Sequence, residues 1–250
     1  MSPPDPVLVA MIVAAGAYVQ TVIGFALGLL VVGTATVAGL APVALMAAVV
    51  SFVTLVNAST ALYGRTHLVR WRDAGLMIAG MLPAVYAGMA LLGYMSRGVS
   101  HTLHLVLALF ILTGGALLTL KPNARAVPAG DWRTLLMGSV GGLFTGLFAT
   151  GGPPVVYHMY RQPYEIAAIR ATLLATFAAA CVARIGTLGW QGGLTTDVLQ
   201  LSAAGVPASI VGTLLGRRFP LPLGEHEMRR VAFALLLVLG ATLLASEWPA

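Results

Sequence analysis

Apolar residues along this chain come in long uninterrupted runs rather than in stripes. Eight runs stand out, at 7–38, 43–62, 74–94, 103–120, 135–160, 166–183, 198–215 and 231–244. Neither the alternation of a half-buried strand nor the three-to-four-residue spacing of an amphipathic helix organises them. Most reach the roughly 18 to 20 residues that carry an α-helix across a hydrocarbon core. The pattern predicts an all-α integral membrane protein, since a membrane barrel would need alternation. Trp71, Trp132, Trp190 and Trp248 fall at the ends of runs or between them, where an interfacial aromatic belt would lie.

Two features modulate this pattern. The fifth run contains "ATGGPPVVYHMYR", residues 149–161, where two glycines and two prolines should break any helix that passes through. The chain also echoes itself. Asp73, Pro83 and Gly88 recur 124 residues later as Asp197, Pro207 and Gly212. Gly114 recurs at a shift of 126 as Gly240, and the same shift carries Gly16-Ala17-Tyr18 onto Gly142-Leu143-Phe144. Such self-similarity divides the chain into two halves of four runs. A first membrane repeat is expected over 1–120, a cytoplasmic linker over 121–133 and a second repeat over 134–250.

Composition narrows the class. Residues are 58% hydrophobic and 9% charged, against roughly a quarter charged in soluble domains, which leaves no room for a water-soluble enzyme module. Cys181 is the single cysteine, so no intrachain disulfide and no cysteine metal cluster can form. Five dispersed histidines supply no converging nucleophile, base or metal site, and no cofactor is called for. The net charge of +6 does not point to nucleic acid, because the 14 basic residues are spread over short loops. The first of them is Arg65, so the basic flank of a cleavable signal peptide is missing and "MSPPDP" reads as a short irregular tail.

Those basic residues set topology instead. Arg65, Arg70 and Arg72 place one loop inside; Lys121, Arg125 and Arg133 place the linker inside; Arg217, Arg218, Arg229 and Arg230 do the same for the last loop. The stretch 184–197 holds only Arg184 and Asp197 and reads as outside. An odd number of crossings must then separate Arg133 from Arg184, yet two runs lie between them. The run 135–160 would be about 39 Å long as one helix. Split at Gly151–Pro154, each arm would measure about 20 Å or less, too short for a core of about 30 Å. This run is therefore expected to enter from inside, turn and return. By the repeat, 7–38 should do so from outside, breaking near "QTVIGFALG", residues 20–28. Each half then crosses three times, which makes two inverted repeats of four apolar segments, the first of each a broken re-entrant helix hairpin. Both termini are expected outside. Secondary transporters of this architecture hold substrate where discontinuous helices meet.

The stretch "GLFTGLFATGGPPVVYHMYRQPYEIAAIRATL" opening the second half, with "GGPPVVYHMYR" followed by "IRATL" as its sharpest part, resembles the TauE/SafE sulfite exporter family of membrane transporters. The opening of the first half departs from the family's usual glycine-rich run with "GFALGLLVVG". The resemblance implies a transporter in the inner membrane of bacteria, moving small sulfur-containing anions such as sulfite or organosulfonates, with membrane lipid as its other partner.

Candidate chemistry centres on the breaks. Backbone groups left unpaired at membrane depth persist only when buried in protein or lining a wet cavity. A helix restarting after a break presents free N–H groups and a positive dipole end, which suit an anion. Gly24, Gly151, Gly152 and Pro153 shape the two breaks, and the glycines allow close backbone approach. Thr150 adds a hydroxyl, while Gln20 and Thr21 offer neutral donors from the other half; the bland reading of that pair is a buried polar contact satisfied between helices. Arg170 is the candidate anion-binding charge, unless it snorkels to the inner interface or pairs with Glu165. His158 lies on the returning arm, either as a substrate contact or as a satisfied structural histidine. Asp73 and Asp197 stand before helices and suit capping. No Asp or Glu occupies the middle of a run, which leaves an anion channel or uniporter without ion coupling as the alternative to a carrier.

Overall fold

The computed structural model describes residues 5–98, 100–119, 125–219, 234 and 236–245, and every regular element among them is helical. In chain order these are α1 (Pro6–Ile23), α2 (Leu27–Val37), α3 (Val43–Leu62), a 3₁₀ turn (Thr66–Leu68), α4 (Trp71–Gly98), α5 (Ser100–Thr119), α6 (Asp131–Phe148), α7 (Gly152–Tyr160), α8 (Ile166–Trp190), α9 (Thr196–Arg218) and α10 (Leu236–Ala245). Five of them, α1, α3, α4, α8 and α9, are long and apolar enough to cross a membrane. Linker residues 121–124, the basic pair Arg229 and Arg230, and Trp248 lie outside the described residues.

Local chemistry sets the helix starts. Asp5 caps α1 by accepting from the Val7 N–H at 2.9 Å, with Pro6 in the first turn, where a missing N–H costs nothing. Thr195 caps α9. Asp73 and Asp197 therefore do not precede their helices. Both sit inside the first turn, where a carboxylate still complements the positive dipole end.

Two helix lengths differ from expectation. Helix α6 begins at Asp131, ahead of the apolar run, and its 18 residues span about 27 Å rather than 20 Å or less. Polar residues at a membrane surface extend a helix without adding to its apolar run. The returning arms are the short ones: α2 has 11 residues and α7 has 9, about 17 and 14 Å. Helix α8 in turn runs on to Trp190, so Arg184 is a helix residue rather than part of an outer loop.

Both short arms fold back on their partners. Gly16 of α1 faces Leu27 and Val31 of α2, while Gly141 of α6 faces Val155 of α7. The halves also exchange partners: α4 packs along α6, and α9 along α1. The recurring pair Gly88 and Gly212 lies at these crossings. A Cβ on Gly88 would strike the Leu143 carbonyl oxygen, and one on Gly212 would strike that of Ala14. Without a hydrophobic drive between helices in lipid, such close backbone approach is a main source of packing energy.

The basic loops gather at one end. Arg72 pairs with Asp131 at 2.9 Å, the Ala129 N–H donates to Gln162 Oε1 at 2.8 Å, and Arg217 Nη1 donates to the Thr60 carbonyl at 2.7 Å. Arg70 lies 4.6 Å above the Tyr164 ring. Burial, and then the adjacent Asp73, raise the Tyr164 phenol above its ordinary value, so it stays neutral beneath the guanidinium. At the opposite end of α8, Trp190 is 94% exposed.

Candidate functional site

Each broken helix turns through a left-handed alanine. Ala26 (φ +97°) precedes α2 and Ala149 (φ +56°) follows α6, and among the described residues these are the two non-glycine positions with positive φ. Such backbone is sparsely populated outside glycine and collects at functional sites. Gly24 (φ +94°) ends α1, its N–H donating to the Gln20 carbonyl at 2.6 Å. In the second break Gly151 precedes α7, and Pro153 and Pro154 sit in the first turn of that helix. The prolines therefore start α7 rather than break a helix; the turn is made before them, at 149–151.

The two breaks touch. A Cβ on Gly28 would lie 2.7 Å from Thr150 Cβ and 3.3 Å from the Ala149 carbonyl oxygen. The Tyr160 hydroxyl, at the end of α7, donates at 2.8 Å to the Ile23 carbonyl at the end of α1. Helix α8 passes both. A Cβ on Gly24 would lie 3.1 Å from Arg170 Cγ, and one on Gly151 would lie 3.1 Å from Phe177 Cε1. Arg170 thus packs against the first break. With Thr21 and Arg65 it lines a cavity of about 100 Å³, which also meets Leu68 of the basic end.

Gln20 is occupied. Its Oε1 accepts from the Leu27 N–H at 3.2 Å, supplying the otherwise missing cap of α2, and its Nε2 donates to Asn57 Oδ1 at 2.8 Å. Asn57, fully buried on α3, donates to Thr213 Oγ1 at 2.7 Å, Thr21 Oγ1 at 3.0 Å and the Ala17 carbonyl at 3.1 Å. Gln20 is thereby a strut that holds the break, while Thr21 belongs both to this network and to the cavity. His158 lies apart from the breaks. Its Nε2 is 3.1 Å from Thr134 Oγ1 and 3.2 Å from Gln162 Nε2, in a polar cluster at the basic end. Gly24, Thr150, Gly151 and Gly152 are brought together around the breaks, and Pro153 packs on Gly114 of α5.

Sequence reasoning missed two residues. Asn57 is a lone amide in an otherwise apolar run, and that was its only signal. Arg184 lies within α8 rather than at the start of an outer loop. It is 0% exposed and donates to the carbonyls of Thr145, at 2.8 Å, and Gly146, in the last turn of α6.

Residues 8–243 match the family model "Sulfite exporter TauE/SafE". The chain is 42% identical over 233 residues to the probable sulfite/organosulfonate exporter TauE of Cupriavidus necator, covering 93% of this chain and 91% of that protein. It is 28% identical over 183 residues to the probable inner membrane transporter protein TsaS of Comamonas testosteroni, covering 72% and 74%. No solved structure matches it.

Proposed function

The chain belongs to the TauE/SafE sulfite exporter family, a family of membrane transporters, and from that premise we propose that it is a secondary transporter exporting sulfite or a small organosulfonate across the inner membrane. The observation that carries this reading is Arg170. It lies against the left-handed Gly24 and lines, with Arg65 and Thr21, a cavity beside the basic loops. Two guanidiniums suit a compact oxyanion, because charge-assisted hydrogen bonds are roughly twice as strong as neutral ones and a guanidinium fork matches paired oxygens.

In this reading the halves are inverted repeats, over 1–120 and 134–250, with 121–133 as the inner linker and both termini outside. The exchange of partners between α1·α9 and α4·α6, and the one left-handed alanine per break, support it. Helices α1–α2 and α6–α7 are re-entrant hairpins, since arms of 9 and 11 residues are too short to span. The anion sits where the breaks meet, and transport is a rocking of one bundle against the other around it. An uncoupled channel or uniporter is the second reading, favoured by the lack of Asp or Glu between the first and last turns of the described helices.

Radiolabelled sulfite flux in proteoliposomes tests both. Saturation with counterflow is expected, and flux rising linearly with concentration would make the protein a channel. Arg170→Gln should weaken sulfite binding to purified protein by tenfold or more, with melting unchanged. Wild-type affinity in that variant would reduce Arg170 to an interfacial anchor.

A further inference from the structure

Arg170, Phe177 and Arg184 follow one another on α8 at seven-residue spacing. They therefore share one face, drifting by about 20° per step, and lie about 10 Å apart along the axis. That face passes the breaks: Arg170 against Gly24, Phe177 against Gly151, Arg184 against the last turn of α6. A cation, an aromatic ring and a second cation thus succeed one another from the basic end towards Trp190. The cavity of Arg170 adjoins the basic end. Beyond Arg184, Thr187, Trp190 and Tyr86 line an open groove of about 360 Å³. Along α8, Phe177 and Arg184 lie between the residues that line the two.

Arg184 is more than a packing residue. Its partners are neutral carbonyls, and its Nε is buried with no hydrogen-bond partner. An ion held in that way is costly to bury. The other half handles the corresponding contact without charge: Asn57 of α3 reaches the last turns of α1, at Ala17, Gln20 and Thr21, with an amide. Holding such a helix end therefore needs only hydrogen bonds, and the positive charge at Arg184 needs another cause. An oxyanion would supply the missing countercharge, with stronger bonds than a carbonyl makes.

We propose that Arg184 is a second anion station on the far side of the breaks from Arg170, and that its grip on α6 is a latch which an arriving anion releases. This rests on the transport reading above. A ligand shifts a conformation only by binding its two states differently, and the exchange of carbonyl for anion at Arg184 provides that difference.

The test uses Thr187→Cys in a Cys181→Ala background, reconstituted in liposomes, with a membrane-impermeant thiol reagent on the Trp190 side. Methanesulfonate, which does not consume the reagent, is supplied from the opposite side. Labelling should accelerate threefold or more with anion when Arg184 is intact. In Arg184→Gln it should be fast without anion and unchanged by it. If Arg184→Gln fails to insert, Arg184→Lys replaces it and should keep the acceleration but need more anion. Slow labelling in Arg184→Gln that still responds to anion would overturn the latch and leave Arg184 as a helix cap. No response with Arg184 intact, while Arg170→Gln still weakens binding, would also overturn the latch but spare the Arg170 site. Loss of both effects would count against the transport reading itself.

Discussion

Gly28→Ala adds one methyl group where the breaks meet. Its Cβ would stand 2.7 Å from Thr150 Cβ and 3.3 Å from the Ala149 carbonyl oxygen, where ordinary carbon contacts begin near 3.5 Å. Neither neighbour is the free end of a flexible side chain, so one break must retreat by about 1 Å. Overpacking of this kind costs about 1–3 kcal/mol. Helix propensity returns about 1 kcal/mol, since Gly28 lies within α2, which leaves a net loss of up to roughly 2 kcal/mol. Gly93→Ala on α4 is the matched control: the same methyl meets nothing within 4 Å there and keeps only the propensity gain. Sulfite counterflow should fall tenfold or more in Gly28→Ala and stay at wild type in Gly93→Ala, with melting lowered in the first and level or raised in the second. A Gly28→Ala protein that transports normally and melts no lower than Gly93→Ala would refute the idea that the contact between the breaks forms the site.

Other outcomes follow from the same geometry. Arg170→Lys keeps the charge but loses the fork, so sulfite affinity should lie between those of wild type and Arg170→Gln in equilibrium titration. Replacing Pro153 and Pro154 together by alanine should leave the break in place, because both prolines occupy the first turn of α7; stability should fall by no more than about 2 kcal/mol, and a larger fall would mean that the prolines hold the turn. Asn57→Ala strands Gln20 and Thr213 without their shared partner and should lower stability by about 1–3 kcal/mol; unchanged melting would show that water replaces the amide. Cysteines at His67 and Trp190, without Cys181, should label from opposite sides of the membrane, and labelling from one side would remove the topology argument.

The sequence by itself determined the apolar, all-helical environment and, to within a few residues, where the two breaks fall. Runs of apolar residues admit one solvent, and backbone polar groups in that solvent admit only helices here. A glycine that recurs 124 residues on, as Gly88 and Gly212, marks a place where two backbones must meet, whatever the partner helix is. Arg170 was legible because charge within an apolar run is rare. Arg184 was misread for the same reason: when a run ends in an arginine, composition cannot tell a loop from a buried ion whose partner comes from another helix. Only the tertiary structure decided that partner, since the Thr145 and Gly146 carbonyls lie some forty residues away in the chain. It also decided that Gln20 caps α2, that His158 stands apart from the breaks, and that Arg170 packs against Gly24 of the first break. The physical reason lies in packing. Local pattern fixes what a residue needs, a solvent, a counter-charge or a hydrogen-bond partner, but packing decides which group meets the need, and for Arg184 and Arg170 that group comes from a helix distant in the chain.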